Sequence, residues 1–461
     1  MTRSENVALS FSRLLRLVLL RRTLRWRDRW TRAELMRHQA QSLARLRAHA
    51  YARSPFYQRH HAGLAAEPLE HLPVLTKADL MAHWDDVVTA RTLRLDDVRR
   101  FVAALETPSL FRGEYIVATT SGSTGLKGVF AFGRDEWLWG LASHGRATDW
   151  AGAAIGLLHH PRMAIVSSRK PWCKSLLVGA SVDSPFIRTM RLDATDPLLA
   201  NVDRLNAFRP QILVAYAETA KALAQHQLER DLRIAPRMVF ASSEVLTSPS
   251  RRAIRHAWGT EPFNAYAATE TALIAADCQH HRMHVCEDLV IVEVVDRRNR
   301  PVSPGTYGEK LLVSVLFSRT IPLIRYEISD SVVLAAPAER CECGKSFGML
   351  AGIRGRVEDT MHLIGEGGPP VPIPPDVFHD VMEPAPIGGW QVVQESPTSI
   401  VVRVVGPQIG FSGEDLAQGV RRRLIEQGAS DPVVRIEVVE SLRRSPTGKT
   451  PLVAAQRGGF T

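Results

Sequence analysis

The ten-residue segment TTSGSTGLKG, residues 119–128, has the composition of a phosphate-binding loop. It contains five hydroxyl side chains, three glycines and Lys127. Glycines let the backbone approach a ligand, hydroxyls add hydrogen-bond donors and lysine adds positive charge, which together suit a polyphosphate. The segment is not a Walker A loop, because Leu126 rather than glycine precedes the lysine. Taken alone, it could equally be a serine–glycine surface loop.

Further polar segments follow along the chain in a fixed order. They read NAYAATET (264–271), PLIRYEISD (322–330), IRGRVED (353–359) and SPTGK (445–449). This series resembles the adenylate-forming superfamily of acyl-CoA ligases, luciferases and peptide-synthetase adenylation domains. HVCED (284–288) and LPVLTK (72–77) are most similar to the phenylacetate-CoA ligase-like branch, which includes capsule-locus proteins and coenzyme F390 synthetases. The resemblance covers nearly the whole chain after residue 40.

The resemblance implies a set of nucleotide-binding residues. The phosphate loop would cradle the β- and γ-phosphates of ATP through Thr120, Ser121, Gly122, Ser123, Thr124, Gly125 and Lys127. Thr269 would contact the α-phosphate, and Glu270 would hold Mg²⁺ through a hard carboxylate oxygen. The adenosine would meet Ser243, Glu244, Tyr266, Asp330 and Arg356, with Ser243 and Glu244 at the adenine and Asp330 at the ribose. Lys449 would reach in from a small C-terminal domain and act in catalysis with Thr269 and Glu270.

The implied reaction is the activation of a carboxylic acid. Attack of a carboxylate on the α-phosphorus expels pyrophosphate and needs cations around crowded oxygens, so a lysine and a metal suffice. The acyl group would then pass to a thiol, most simply that of CoA. The resemblance favours an aryl or arylacetic acid, with Tyr216 in the wall of the acyl pocket. The alternatives are transfer to a carrier protein or an amine, or a nucleotidyl transfer.

The sequence departs from the family pattern at several places. The phosphate loop is one residue shorter than usual, Ala267 follows Tyr266 where glycine is usual, and Glu358 occupies the hinge position. After the hinge, the face expected to receive CoA reads GEGGPPVPIPP. Adenylation is therefore predicted more firmly than thioester formation.

The cysteines suggest a structural zinc site. Cys341 and Cys343 form a tight pair, and Cys278 lies upstream with His280 and His284 close by. Three thiolates and one imidazole are a typical tetrahedral zinc set, and family members resemble this arrangement. His284 matches the family position and His280 is the alternative ligand. The alternative for the whole group is free thiols packed in a core.

Overall composition indicates a globular, reduced protein that we expect in the cytoplasm. Of its 461 residues, 45% are hydrophobic and 23% charged, and five cysteines do not make a disulfide framework. The net charge is +10, yet no nucleic-acid-binding motif is present, so we expect no nucleic-acid partner. The first 30 residues mix arginine with leucine and predict a helix that either docks on the body with its arginines in water or associates weakly with a membrane surface. A non-catalytic, membrane-associated protein of the same fold is therefore a further alternative.

The helices and strands that we predict around these residues indicate an α/β protein. Residues 1–100 form a helical region, 101–355 a large multi-sheet core, and 356–461 a small mobile α/β domain that begins at the hinge. Short apolar runs at 163–166, 212–214, 238–240, 289–295 and 311–315 alternate with helical stretches, which predicts mainly parallel sheets with ligand sites at the strand ends. Ser248, with Pro249 after it, is the predicted N-cap of a helix that ends at Gly259. The resemblance implies that these elements form the adenylate-forming enzyme fold.

Overall fold

The computed structural model of the protein describes residues 7–120, 126–153, 161–182, 188–356, 360–382 and 384–455. A large N-terminal unit is followed after residue 359 by a small unit. The helices are α1 (Phe11–Arg27), α2 (Arg32–Arg53), α3 (Pro55–His60), α4 (Lys77–Ala82), α5 (Trp84–Val87), α6 (Leu95–Ala103), α7 (Arg134–Trp150), α8 (Lys174–Ser181), α9 (Leu198–Phe208), α10 (Ala217–Leu228), α11 (Ser248–Trp258), α12 (Asp376–Met382) and α13 (Gly413–Glu426). None of these helices combines the length and the hydropathy that crossing a bilayer requires.

The strands form five sheets in the described part of the chain. They are β1 (Ile116–Thr119), β2 (Val129–Phe132), β3 (Arg162–Ser167), β4 (Arg188–Asp193), β5 (Ile212–Tyr216), β6 (Met238–Ser242), β7 (Phe263–Ala268), β8 (Ala272–Asp277), β9 (Met283–Val285), β10 (Val290–Val295), β11 (Lys310–Val315), β12 (Tyr326–Ile328), β13 (Asp330–Leu334), β14 (Met349–Arg356), β15 (Met361–Ile364), β16 (Pro370–Ile373), β17 (Ile387–Ser396), β18 (Ser399–Pro407), β19 (Val433–Val438) and β20 (Val453–Ala454). All five apolar runs identified in the sequence are strands.

Side-chain caps start the helices of the N-terminal helical region, and backbone hydrogen bonds attach this region to the large unit. Thr31 and Glu34 form a capping box that starts α2, and the Thr76 hydroxyl accepts a hydrogen bond from the Asp79 backbone to start α4. Just before α4, Leu75 exchanges backbone hydrogen bonds with Arg325 and Glu327. The LPVLTK run thus forms a short bridge to the PLIRYEISD segment.

The largest sheet has nine strands in the order β13-β14-β9-β8-β7-β6-β5-β3-β4. Its β4-β3-β5-β6-β7 half is parallel, and the half that contains β8, β9, β14 and β13 is antiparallel. The expectation of a mainly parallel sheet therefore holds for only one half. The β7–β8, β8–β9 and β13–β14 connections hold no helix, and such connections give antiparallel pairing. The chain between β9 and β14 instead passes through β10, β11, β12 and β13.

One predicted helix start is off by one residue. The Thr247 side chain, rather than that of Ser248, accepts the hydrogen bond from the Ser250 backbone, and Ser248 is already helical. Because Pro249 lacks an N–H, the cap must reach past it to the next donor. Gly259 ends this helix in the left-handed region at φ 67°, as predicted.

The small unit has its own core. Strands β19-β18-β17-β20 form one sheet, β15 and β16 form a hairpin, and α12 and α13 pack against them. Helix α13 with strands β17, β18 and β19 gives this unit the α/β character that the sequence predicted. Fold class and the two-unit architecture agree with the prediction.

Candidate active site

Three parallel strands deliver predicted site residues to one edge of the large sheet. Strand β5 ends at Tyr216, β6 is followed by Ser243 and Glu244, and β7 is followed by Thr269 and Glu270. Ser243 has a φ of 65°, which places a non-glycine residue in the left-handed region directly after its strand. The carboxyl edge of a parallel sheet is where such folds bind ligands.

The predicted phosphate loop is closed at its base by a pair of hydrogen bonds. The Thr120 backbone N–H donates to the Gly128 carbonyl at 3.0 Å, and the Gly128 N–H donates to the Thr120 hydroxyl at 2.8 Å. A Cβ at Gly128 would lie 2.7 Å from the Phe130 ring, so the turn requires glycine. Lys127 is exposed. The predicted ligands Ser121, Gly122, Ser123, Thr124 and Gly125 lie outside the described residues.

Asp330, predicted to bind the ribose, lies next to two other predicted nucleotide-binding residues, Tyr266 and Arg356. The Tyr266 hydroxyl donates to Asp330 Oδ2 at 2.6 Å, which fixes the carboxylate at the start of β13. The backbone of Arg356 lies opposite Asp330 in the β13–β14 pairing. Tyr266 and Asp330 are 64 residues apart in sequence, and no local pattern signals this hydrogen bond.

Lys449 extends from the small unit into the same region. Its backbone is held in a tight turn, where Ser445 N donates to the Lys449 carbonyl at 2.7 Å and Lys449 N donates to the Ser445 hydroxyl at 3.1 Å. The Lys449 Nζ lies 5.7 Å from the centre of the Tyr216 ring. Gly448, at φ 81°, packs so closely on the large unit that a Cβ would lie 2.8 Å from that of Ala194. The predicted catalytic lysine is therefore at the junction of the two units.

Glu244 joins the two units beside this lysine. Its Oε1 accepts a hydrogen bond from the Thr450 backbone at 2.6 Å, and its Oε2 accepts one from the Glu218 backbone at 2.9 Å. Burial raises the pKa of Glu244 to about 7, against the lowering effect of these two hydrogen bonds. Its predicted place at the adenine remains a prediction.

A lysine that the sequence did not single out completes the site. Lys174 Nζ donates to the Thr269 carbonyl at 2.8 Å and lies 4.6 Å from the centre of the Phe132 ring. Burial lowers the pKa of Lys174 to about 7, while Glu270 acts in the opposite direction. A lone lysine at the start of a helix carries no distinctive sequence signal, so only the fold reveals it.

One large cavity of about 2780 Å³ connects these groups. The predicted residues in its walls are Thr120, Tyr216, Ser243, Glu244, Tyr266, Thr269, Glu270, Asp330 and Lys449. Glu270 and Asp330 offer carboxylates, the first of them largely buried, while Lys449 offers a cationic nitrogen and Lys174 an amine whose pKa burial lowers to about 7. Such a cavity can hold a triphosphate, a divalent cation and an organic acid together.

The predicted metal-binding group forms a compact cluster, and none of its four residues lines this cavity. The ligand atoms of Cys278, His284, Cys341 and Cys343 all lie within 4.8 Å of one another. The Cys278 and Cys341 sulfurs are 3.6 Å apart, and Cys343 Sγ is 3.2 Å from His284 Nε2. For comparison, the sulfurs of a tetrahedral zinc thiolate are about 3.8 Å apart. The residues therefore fit Zn²⁺.

The structure also distinguishes between the two candidate histidines. His284 Nδ1 is 3.2 Å from the Phe347 carbonyl, which leaves Nε2 free to bind a metal. His280 Nδ1 is instead 3.4 Å from a Glu342 carboxylate oxygen. His284 thus belongs to the cluster and His280 does not.

Comparisons with known proteins agree with this structure. No family model matches the chain. It is 25% identical over 350 residues to a phenylacetate-coenzyme A ligase of Thermus thermophilus, which covers 72% of this chain and 73% of the relative. Protein CapK of Staphylococcus aureus is 26% identical over 135 residues, which is 29% of this chain and 28% of that protein.

Among solved structures, the fold matches a 2-hydroxyisobutyryl-CoA ligase in its postadenylation state with a TM-score of 0.71. The sequences are 19% identical, and the match covers 94% of this chain and 91% of that one. The same ligase in its thioesterification state gives a TM-score of 0.57 at 19% identity, with 93% and 92% of the two chains covered. The predicted relationship is confirmed: the chain has the adenylate-forming enzyme fold and is related to the phenylacetate-CoA ligase-like branch.

Proposed function

We propose that this protein activates a carboxylic acid with ATP and transfers the acyl group to the thiol of CoA. The observation that carries the proposal is the single cavity into which the small unit brings Lys449 and the large unit brings Thr269, Glu270 and Asp330. The predicted enzyme class is an AMP-forming acid–thiol ligase, and the phenylacetate-coenzyme A ligase relative supports it.

The first step joins the acid to the nucleotide. A carboxylate oxygen attacks the α-phosphorus, the bond to the β-phosphate oxygen breaks, and the products are an acyl-adenylate and pyrophosphate. Lys449 stabilises the negative charge that grows on the α-phosphate oxygens, where a fixed cation in a dry site has its largest effect. Mg²⁺, when bound by Glu270, neutralises phosphate charge.

Other residues of this chain hold the reacting groups in place. Tyr266 fixes the Asp330 carboxylate that receives the ribose hydroxyls. Lys174 fixes the backbone of Thr269 next to the metal ligand Glu270. Fixing these groups before ATP arrives reduces the entropy lost when the reactants are aligned.

The second step releases AMP as a thiol attacks the acyl carbon and forms a thioester. CoA is the proposed acceptor, because known CoA ligases share the fold and the sequence relationship. A carrier protein or an amine as acceptor would follow the same first step, whereas a nucleotidyl transfer would release pyrophosphate without forming an acyl-adenylate. The face that would receive CoA begins with the β15–β16 hairpin, whose turn has Gly367 and Gly368 at positive φ.

An aryl or arylacetic acid is the proposed substrate class. Tyr216 lies beside Lys449, and Phe240 on the neighbouring strand also lines the cavity. Flat aromatic walls suit an aromatic acyl group, which can stack on them. The proposal also includes a cytoplasmic location, where ATP and CoA are available.

The test is pyrophosphate release with Mg·ATP across aryl, arylacetic, short aliphatic and long aliphatic acids, each with and without CoA. Release that depends on one acid class, with thioester formed only when CoA is added, supports the proposal. Release without thioester rejects CoA as acceptor. A lack of release with every acid, together with no thermal stabilisation by ATP, rejects adenylation.

A further inference from the structure

Helix α1 presents an apolar face to solvent. Five large side chains at positions 11, 15, 18, 19 and 26 fall on one side of the helix, since they follow its 3.6-residue period. We call them the α1 stripe. Their exposed fractions are Phe11 83%, Leu15 54%, Val18 53%, Leu19 52% and Trp26 61%. Apolar residues gathered on one exposed helix face, rather than scattered singly, indicate an interaction surface.

The opposite side of the helix is anchored, so the α1 stripe cannot turn inward. Arg21 and Arg25 both pair with Asp149, at 2.6 and 2.7 Å, and Arg27 pairs with Asp288 at 3.3 Å. Leu17 and Leu24 are buried against the body. The expected docking of this helix is thus observed: Leu17 and Leu24 face the protein, Arg21, Arg25 and Arg27 pair with its carboxylates, and the α1 stripe faces outward.

The charge around the α1 stripe identifies its partner. The helix contains six arginines and no acidic residue, and Arg22 is exposed in the middle of the stripe. A second copy of this helix would bring arginines against arginines, which opposes self-association. An apolar face that carries phenylalanine and tryptophan together with exposed arginine matches helices that lie in the headgroup region of anionic membranes.

We propose that α1 binds the protein to an anionic lipid surface, with the α1 stripe inserted at the level of the headgroups. The helix would lie along the bilayer rather than cross it, in keeping with its length of 17 residues and its arginines. The position of the stripe would connect membrane binding to the cavity, because Phe11, Leu15 and Val18 also line the cavity that contains Lys449. If the proposed function holds, an apolar acid dissolved in the bilayer would enter the cavity from the membrane side.

The test is flotation of the full-length protein with phosphatidylcholine vesicles that contain or lack phosphatidylserine, without ATP or acid. The absence of substrates makes the result independent of the proposed function. We expect the protein to float with the anionic vesicles, to float poorly with neutral ones, and to dissociate in high salt. The double variant Val18→Glu/Leu19→Glu should reduce the partition coefficient roughly tenfold or more, because it places charge in the apolar face.

The matched control is Leu199→Glu/Leu228→Glu, which adds the same charge at exposed leucines on α9 and α10. It should float like the unaltered protein, and far-UV circular dichroism with thermal melting should show all variants folded. Failure of the unaltered protein to bind anionic vesicles would overturn the proposal. So would equal binding by the stripe variant, or light scattering that shows a dimer which the stripe variant abolishes.

Discussion

At the scale of single residues, Lys449 is the side chain on which the proposed chemistry most depends. Lys449→Ala should slow pyrophosphate release by roughly 10²–10³-fold, because transition-state charge loses its fixed cation. ATP binding, measured by calorimetry, should largely persist. Lys345→Ala is the control, because Lys345 lies over the Trp150 ring and does not line the cavity. An unchanged rate in Lys449→Ala would remove the lysine from the mechanism.

The second residue-scale prediction concerns Lys174 and pH. Its pKa is lowered from 10.5 to about 7 in the folded protein, so the unfolded chain binds the extra proton between these values. The free energy of unfolding should therefore gain a rising contribution from about pH 7 to pH 10. Lys174→Met should reduce that rise.

Thermal melting across this pH range measures the effect, and Lys170→Met, at an exposed lysine nearby, is the control. If the Lys174→Met protein and the unaltered protein show parallel pH profiles, Lys174 is charged throughout and the burial argument fails.

At the scale of elements, the segment that carries Cys341 and Cys343 is tied to Cys278 and His284 at the end of β8 and in β9. Zinc held by these four ligands would join two segments about 60 residues apart and so stabilise the fold. Purified protein should contain about one zinc per chain. Cys343→Ser should lose most of it and melt at a lower temperature.

Cys173→Ser is the matched control, because that thiol is remote from the cluster in sequence and is not one of its ligands. Zinc below about half an equivalent in the unaltered protein would argue for free thiols instead. Equal zinc in Cys343→Ser would show that the metal binds elsewhere.

The strands of the large unit show which elements a local sequence pattern can predict. Apolar runs identified β3, β5, β6, β10 and β11, because strand formation depends mainly on short stretches of apolar and β-branched residues. The antiparallel half of the large sheet could not be predicted this way. Pairing direction depends on how each connection returns, and side-chain pattern does not encode that.

At the scale of the whole molecule, the contact between the two units centres on Glu244. Both of its oxygens accept backbone hydrogen bonds, one from each unit, beside Lys449. Glu244→Gln leaves one oxygen for two donors, so one of these bonds must be lost. We expect adenylation to slow about tenfold, in line with a hydrogen bond to a charged group.

Thioester formation from a supplied acyl-adenylate should be nearly unchanged, because we expect the small unit to move about the predicted hinge for that step and to leave Glu244. Glu440→Gln, at an exposed position of the small unit, is the control. Equal loss in both half-reactions would indicate general damage rather than a contact specific to adenylation.

By itself the sequence determined the fold family, the order of the site motifs and the residue types at the reacting centre. These features are encoded in short segments, whose side chains define them without reference to distant parts of the chain. Only the tertiary structure decided that Glu244 meets Thr450 across 206 residues, that Lys174 supports Thr269, and that α1 leaves an apolar stripe exposed while it buries Leu17 and Leu24. Each of these depends on contacts between distant segments, such as the ion pair of Arg21 with Asp149, which the local sequence pattern does not encode.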